Sequence, residues 1–261
     1  RGTRNTSRSD VALAAWLVLS FVSALFATNG WHAGRALSLS ASAAALFWGA
    51  RALGESDGAR RAVIAIGAAV TLAAASSLAQ AYGISFDVFA TNRAPGGTLG
   101  NRNFIAHVAA MGLPLLLWLS ATARSSSRTL LGAFAILILS AALVLSRARA
   151  AWLALVVCGV VVLPLAWRGR SMIAAALAPR RGRLLIGALA AGAVLALILP
   201  NALDWRSDSP YLDSVRGVVN YREGSGAGRV EQYLNSLKLV RRHPVLGVGP
   251  GNWAAEYPAV V

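Results

Sequence analysis

Long apolar runs alternate with short polar connections through the first 200 residues of the chain. A helix needs about 20 mainly apolar residues to cross the hydrocarbon layer of a membrane, and seven stretches approach that length. These stretches are 11–28, 36–53, 62–82, 104–121, 129–146, 150–167 and 184–200. In lipid, each backbone N–H and C=O group must find its hydrogen-bond partner within the spanning structure, which only helices and closed β-barrels achieve. No stretch shows the two-residue alternation of a β-strand. The pattern therefore predicts an all-α fold, a polytopic transmembrane helix bundle of about seven spans.

Residues 201–261 carry a different pattern, which is polar at first and then amphipathic. Three aromatic residues in the polar part suit a lipid interface or stacking on sugars: Trp205, Tyr211 and Tyr221. After Gly228 the apolar residues keep helical spacing, which predicts an amphipathic helix over 229–242 that must end before Pro244. We therefore predict two domains, a transmembrane bundle over 1–200 and a large loop domain over 201–261.

Composition narrows the class of protein further. The 261 residues are 56% apolar and 13% charged, whereas soluble domains carry about 25% charged residues, so a cytosolic globular enzyme is excluded. The single cysteine, Cys158, lies in an apolar run, which excludes a disulfide, a CxxC redox pair and a cysteine-based zinc site. The chain starts at Arg1 rather than Met and stops at Val261, so we expect a fragment whose loop domain is truncated.

The net charge of +15 comes mostly from arginines between apolar runs, a distribution typical of topology signals rather than of nucleic-acid binding. With a cytoplasmic N-terminus, thirteen arginines fall on the cytoplasmic side: Arg1, Arg4, Arg8, Arg51, Arg60, Arg61, Arg124, Arg128, Arg168, Arg170, Arg180, Arg181 and Arg183. Five fall in the short loops of the other side: Arg35, Arg93, Arg102, Arg147 and Arg149. Since basic residues are retained in the cytoplasm, this count predicts that residues 201–261 lie on the outer face.

Arg147 and Arg149 run against that gradient, in a connection with almost no loop between two apolar runs. One interpretation is a pair of arginines that snorkel to the interface beside Trp152. The other is a phosphate or diphosphate site, because guanidinium groups bind phosphate oxygens bidentately. The residues alone leave both open.

The loop 91–104 and the residue after the amphipathic helix offer further candidates. Asn101 or Asn103 can cap the helix that follows. Arg102 beside that N-terminus favours an anion site, but a plain capped turn explains the same residues equally well. Asn103 and His107 share a helix face, where His107 contacts either a substrate or a neighbouring helix. His243 sits at a helix end, where it either binds the last carbonyls or acts as a general base.

Three segments occur in order on the predicted outer face: GTLGNRNF at 97–104, SRARAAWL at 146–153, and Gly228-Arg229 followed by the stretch from Lys238 to Gly251. Together they resemble the G-T-x-G-N-x-N, S-R-x-A-W and G-R-x-x-x-W…H-P-x-x-G-x-G motifs of the O-antigen ligase and polymerase superfamily. These are bacterial membrane glycosyltransferases, and the resemblance covers roughly residues 91–261. Tyr233 departs from the pattern near a position where Trp is commoner.

The resemblance implies an enzyme of the bacterial inner membrane whose active site faces the periplasm. It would transfer a glycan from an undecaprenyl-diphosphate carrier to an acceptor glycan or a lipid A–core hydroxyl, without cofactor or metal. By the same resemblance Arg147 and Arg149, with Arg102 and Arg229, would bind the diphosphate, and His243 would be the general base. Asn101, Asn103 and His107 would support the site. The absence of an Asp-x-Asp pair agrees with metal independence, since Asp204, Asp208 and Asp213 are singly spaced.

Other functions stay open at this point. A protein O-oligosaccharyltransferase of the same superfamily would use the same donor. A transporter of polyisoprenoid-linked glycans would also need outer arginines, but it typically shows internal repeats and intramembrane charges, and the sequence has neither. A noncatalytic scaffold would tolerate any substitution of His243.

Overall fold

The computed structural model describes residues 7–54, 56, 58–84, 86–90, 93–168, 179–205, 209–219 and 224–261. Residues discussed above that lie outside these ranges are Arg1, Arg4, Arg170, Asp208, Tyr221 and the first two residues of the loop 91–104.

The described residues form ten α-helices and two short 3₁₀ helices, with no strand among them. The α-helices are α1 (Arg8–Leu25), α2 (Gly30–Gly54), α3 (Ala59–Ala81), α4 (Arg102–Ala121), α5 (Ser126–Ser146), α6 (Arg149–Arg168), α7 (Pro179–Ile198), α8 (Pro210–Val219), α9 (Gly224–Arg242) and α10 (Trp253–Glu256). The 3₁₀ helices are Gly97–Leu99 and Tyr257–Val260.

The predicted all-α bundle is confirmed, because each of the seven predicted spans coincides with one of the helices α1 to α7. Within the described residues, six helices are long and apolar enough to cross a membrane, and α6 covers the remaining predicted span. The largest difference is at α2, which begins at Gly30 instead of residue 36. Asn29 explains it, since its Oδ1 accepts a hydrogen bond from the His32 N–H at 3.1 Å and so caps the helix early.

The first compact unit consists of residues 1–59 and 220–261. Its helices α1 and α2 form an antiparallel hairpin, in which Arg51 Nη1 lies 2.6 Å from Asp10 Oδ1. Trp48 Nε1 donates to the same carboxylate oxygen at 3.1 Å. Arg51 lies near the end of the second predicted span, 36–53, and this pairing lowers the cost of placing a charge at the end of a membrane helix.

The second compact unit consists of residues 60–219, and α5 lies at the centre of its core. Ile136 and Leu139 of α5 are fully buried between α4 and α7. Close approach of α5 and α7 depends on a small residue, since a Cβ added to Gly192 would lie 2.3 Å from Leu137 O. The Ser140 hydroxyl donates to Leu189 O at 2.7 Å across the same contact. Small residues and interhelical hydroxyl bonds are typical of helices that pack in membranes.

Contacts at the helix ends of the second unit agree with the alternation of its spans. Arg181 Nη1, near the start of α7, donates to Ala123 O just after α4, at 2.8 Å. At the other end the Ala202 N–H, after α7, donates to Ala81 O at the end of α3, also at 2.8 Å. The end of α4 and the end of α3 thus contact opposite ends of α7, as an up-and-down bundle requires.

The part of the chain after α7 contains one helix that the sequence analysis missed and one that it predicted. The short helix α8 lies in the stretch 201–228 that was interpreted only as polar; Ser209 followed by Pro210 is a helix-start signal that could have located it. The predicted amphipathic helix is confirmed as α9, which starts at Gly224 and ends at Arg242, before Pro244.

Candidate functional site

Arg147 ends α5 in an unusual backbone conformation. Its φ is 54°, and it is the one non-glycine residue with positive φ among those the structure describes. Long side chains adopt this left-handed region rarely. Ala148 is buried and α6 begins at Arg149, so Arg147 and Ala148 alone connect the two helices. The sharp turn places two guanidinium groups at the same end of the second unit.

The Arg147 side chain is fastened to the segment that follows α7. Its Nε donates to Ser214 Oγ of α8 at 2.9 Å, and its guanidinium carbon lies 4.7 Å from the centre of the Trp205 ring. Ser214 is buried, and its hydroxyl donates to Pro210 O at 2.8 Å. The two Nη groups of Arg147 have no hydrogen-bond partner within the described ranges. They remain available for an anion.

Several charged and ionisable groups lie around the Arg147 guanidinium group. Burial lowers the pKa of Arg147 below its ordinary value, and the positive charges of Arg102 and Arg149 lower it further. Asp213 and Tyr211 act in the opposite direction. Arginine stays protonated at physiological pH despite such a shift, so Arg147 keeps its positive charge and the charges of Arg102 and Arg149 add to it. The arginine cluster, as we call Arg102, Arg147 and Arg149, therefore favours an incoming anion.

Arg149 also contacts α8. Its Nη1 donates to Gly217 O, and a side chain at position 217 would collide with the guanidinium group. Both arginines thus bind residues that follow α7, namely Trp205, Ser214 and Gly217. Neither snorkelling nor ligand binding alone predicted this arrangement. The reason is that these partners lie more than 60 residues away in sequence.

The glycine-rich loop before α4 is held against the end of α3. Gln80 Oε1 accepts hydrogen bonds from the N–H groups of Gly96 and Gly97, both at 2.8 Å. A Cβ on Gly97 would lie 2.6 Å from the Ser77 backbone nitrogen, so only glycine fits this approach. Gln80 was missed by the sequence analysis, although an amide near the end of an apolar run is a visible signal.

The start of α4 shows which asparagine is the cap. Asn101 Oδ1 accepts from the Asn103 N–H at 3.0 Å, so Asn101 caps the helix and Arg102 is its first residue. Asn103 and His107 are both exposed, four residues apart on α4. The structure therefore places Asn101 in a structural role and leaves Asn103 and His107 accessible.

His243 follows the last residue of α9 in the first unit. Its backbone N–H donates to Leu239 O at 3.1 Å, and its carbonyl accepts from the Gly247 N–H at 3.1 Å. The imidazole is exposed and has no hydrogen-bond partner among the residues described. Thus the backbone, not the ring, satisfies the last carbonyls of the helix, and the ring nitrogens are free to act on a ligand.

The segment after His243 is fixed to the connection between α1 and α2. Asn252 is fully buried; its Oδ1 accepts from the Asn29 N–H at 2.8 Å, and its Nδ2 donates to Asn29 O at 3.2 Å and Pro250 O at 3.0 Å. Gly249 has a φ of 89° and lies so close to Ala27 that an added Cβ would be 2.4 Å from the Ala27 Cβ. The glycines near the end of the chain therefore serve close backbone packing, which positions the segment that carries His243.

The remaining predicted site residue, Arg229, is exposed on α9 of the first unit. The structure thus brings Arg102, Arg147 and Arg149 together within the second unit, while His243 and Arg229 belong to the first. In the part of the chain that the structure describes, no group of three His, Cys, Asp or Glu side chains is arranged to bind a metal ion.

Comparison with known proteins identifies the region that carries these groups. Residues 133–260 match a family model described as O-antigen ligase. The match includes the turn with Arg147 and Arg149, the segment 201–219, α9 and His243. It confirms the superfamily resemblance drawn from the sequence motifs. No curated protein and no solved structure matches the chain.

Proposed function

Since residues 133–260 belong to the O-antigen ligase family, we propose that this multi-pass membrane protein transfers a glycan from undecaprenyl diphosphate to an acceptor hydroxyl on the periplasmic face of the bacterial inner membrane. The match to an O-antigen ligase family model supports an enzyme of the glycosyltransferase type. The acceptor in our proposal is a second glycan or the lipid A–core.

The observation that carries the proposal is the arginine cluster. Arg147 keeps two Nη groups without a hydrogen-bond partner among the described residues, beside the charges of Arg102 and Arg149. Arg147 and Arg149 lie within the residues that match the O-antigen ligase family model. A diphosphate offers several anionic oxygens, which guanidinium groups bind in pairs of parallel hydrogen bonds. Fixed positive charge at that point also stabilises the negative charge that grows on the leaving diphosphate.

We assign the proton transfer to His243. In the proposed reaction the acceptor oxygen attacks the anomeric carbon of the donor, the bond from that carbon to the phosphate oxygen breaks, and the diphosphate leaves with the electron pair. The acceptor proton passes to the neutral imidazole, which is the side chain best suited to this at neutral pH. The exposed, unbonded ring of His243 supports this role.

The test is transfer activity in two deletion strains, one lacking an O-antigen ligase and one lacking an O-antigen polymerase. Restored attachment of polysaccharide to lipid A–core in the first strain would indicate a ligase, and a restored ladder in the second a polymerase. Glycosylated protein in either strain would indicate the protein transferase instead. No restored transfer by a chain that is inserted and expressed would contradict the proposal.

A matched pair of histidine variants tests the base. His243→Ala should lower transfer by about 10²- to 10⁴-fold, the usual contribution of a general base. His32→Ala removes another exposed imidazole of the first unit and should leave transfer unchanged. Full activity of His243→Ala would reject the assignment.

The periplasmic face has a separate test. Val245 is 83% exposed, two residues after His243. Val245→Cys in a Cys158→Ser background should react with a membrane-impermeant maleimide on intact spheroplasts. Labelling that requires lysed membranes would place this segment in the cytoplasm.

A further inference from the structure

Helix α9 has two faces of different character. Asn235 and Leu239 are buried against the C-terminal segment, where the Trp253 Nε1 donates to Ser236 Oγ at 3.0 Å. The opposite face follows the spacing i, i+3, i+4, i+7 and is apolar. Its members, each between 41% and 65% exposed, are Val230, Tyr233, Leu234, Leu237 and Val240. A polar helix outside the bundle thus exposes a continuous apolar stripe, which marks an interaction surface.

The segment that follows α9 connects the end of this helix to the end of α1 within the first unit. Four residues after the helix, Leu246 O accepts a hydrogen bond from Ser23 Oγ at 2.5 Å. Ser23 lies in the last turn of α1, next to the connection between two helices of membrane-spanning length. Trp31, 77% exposed at the start of α2, is of a residue type enriched where helices leave the membrane. The C-terminal end of α9 is therefore tied to the level of the lipid headgroups.

The charges of α9 match a lipid surface. The helix carries four basic residues against one acidic residue, Glu231. The basic residues are Arg229, Lys238, Arg241 and Arg242. Lys238 Nζ and Arg242 Nη1 donate to carbonyl oxygens of Val260 and Ala259, at 3.2 and 3.1 Å, so that they flank the helix on its packed side. An apolar face bordered by basic residues is characteristic of helices that lie in the plane of an anionic membrane surface.

We propose that α9 is an interfacial helix whose apolar stripe inserts into the outer leaflet, while Arg229 and Arg241 beside the stripe bind the headgroups of anionic phospholipids. Insertion would bury the side chains of Val230, Leu234 and Leu237 that the protein leaves exposed. It would also fix His243, one residue beyond the helix, at the depth of a lipid's phosphates. That consequence rests on the proposed function, whereas the lipid contact itself does not.

The experiment measures depth in the full-length chain, reconstituted in vesicles. In a Cys158→Ser background, a nitroxide is attached at Leu237→Cys on the apolar stripe, or at Glu231→Cys on the flank of the same helix as a control. Accessibility to oxygen, which partitions into lipid, is compared with accessibility to a water-soluble nickel chelate. We expect the Leu237 label to lie about 5–10 Å below the headgroup boundary and the Glu231 label to prefer nickel.

Lipid composition tests the charge component. The same measurement in phosphatidylcholine vesicles, with and without phosphatidylglycerol, should show deeper insertion with the anionic lipid, and Arg241→Gln should reduce that difference. Preference of the Leu237 label for nickel would overturn the proposal, since the stripe would then face water. Protection of the label from both reagents would also overturn it, because another protein surface would then cover the stripe. Neither result depends on transfer activity, so this proposal can fail while the proposed function stands.

Discussion

Each compact unit binds a later segment of the chain to an earlier helix pair, and the two units do so by different chemistry. In the first unit, the neutral joint consists of Asn252, Gly249 and Gly251 packed on the connection between α1 and α2. In the second unit, the cationic joint consists of Arg147 and Arg149 bound to Trp205 and α8. Both joints attach a later part of the chain to an earlier hairpin, but only the second carries formal charge in its central residues.

The difference indicates which joint has capacity left for a ligand. The side chain of Asn252 makes three hydrogen bonds to backbone groups and is fully buried. By contrast, Arg147 makes one hydrogen bond, through Nε to Ser214 Oγ, and a cation–π contact with the ring of Trp205. The Arg147 guanidinium group is held in place by contacts that do not neutralise its charge, and its Nη groups can still donate hydrogen bonds. Such a group is suited to anion binding. The neutral joint is structural, and the cationic joint combines structure with chemistry.

The largest effect on ligand binding is expected from breaking the cationic joint. Arg147→Ala should weaken the binding of undecaprenyl diphosphate by about 10- to 100-fold, as expected when one hydrogen bond to a charged group is lost. The measurement is an affinity in detergent micelles with labelled lipid. Arg124→Ala, which removes an exposed arginine from the connection between α4 and α5, is the control. Equal affinity of the two variants would assign Arg147 to a structural role alone.

Breaking the neutral joint should affect stability rather than ligand affinity. Asn252→Leu removes three hydrogen bonds at about 1 kcal/mol each, so we expect a loss of about 3 kcal/mol in the free energy of unfolding, measured by denaturant titration. Asn235→Leu is the matched control, because Asn235 is buried with one long bond of 3.5 Å to the Tyr257 hydroxyl. Diphosphate affinity should stay unchanged in the Asn252 variant. A large loss of affinity would mean that the joints do not have separate tasks.

A smaller change in diphosphate affinity is expected when the Trp205 ring of the cationic joint is replaced. Trp205→Leu should weaken diphosphate binding by about 0.5–2 kcal/mol, the range of cation–π contacts, whereas Trp205→Phe should retain most of the affinity. The comparison is clean because the buried Trp205 Nε1 has no hydrogen-bond partner among the described residues. Equal affinities of the Leu and Phe variants would show that stacking does not position Arg147.

The smallest effect is the alkaline stability of the second unit. Burial raises the pKa of the Tyr211 hydroxyl, Tyr82 raises it further and Arg147 lowers it. Because the folded state then holds the proton more tightly than the unfolded state, stability is unaffected below about pH 10 and falls as the pH rises above it. Tyr211→Phe should lessen that decline in thermal midpoint, and Tyr233→Phe on exposed α9 should not. An identical decline in the wild type and in Tyr211→Phe would exclude Tyr211 as its source.

Several parts of the site were visible in the sequence, and others were not. Arg102, Arg147, Arg149 and His243 stood out because charge or imidazole beside apolar runs is costly and needs an explanation. Trp205 was noted as an aromatic for interfaces or sugars, but its actual partner, Arg147, could not be predicted. Ser214 and Gln80 were missed, since a single hydroxyl or amide has no periodic pattern. Ser214 matters because it binds Arg147, and Gln80 matters because it binds the N–H groups of Gly96 and Gly97.

The sequence by itself determined the helices and their alternation, because the thickness of the hydrocarbon layer and the need to satisfy backbone groups within it act locally on each segment. It also determined where α9 ends, since proline restricts the residue before it. Only the tertiary structure decided which residues meet. The bond from Arg147 to Ser214 joins positions 67 apart, and that from Asn29 to Asn252 joins positions 223 apart. Contacts over such separations depend on how whole helices pack, which no local pattern records.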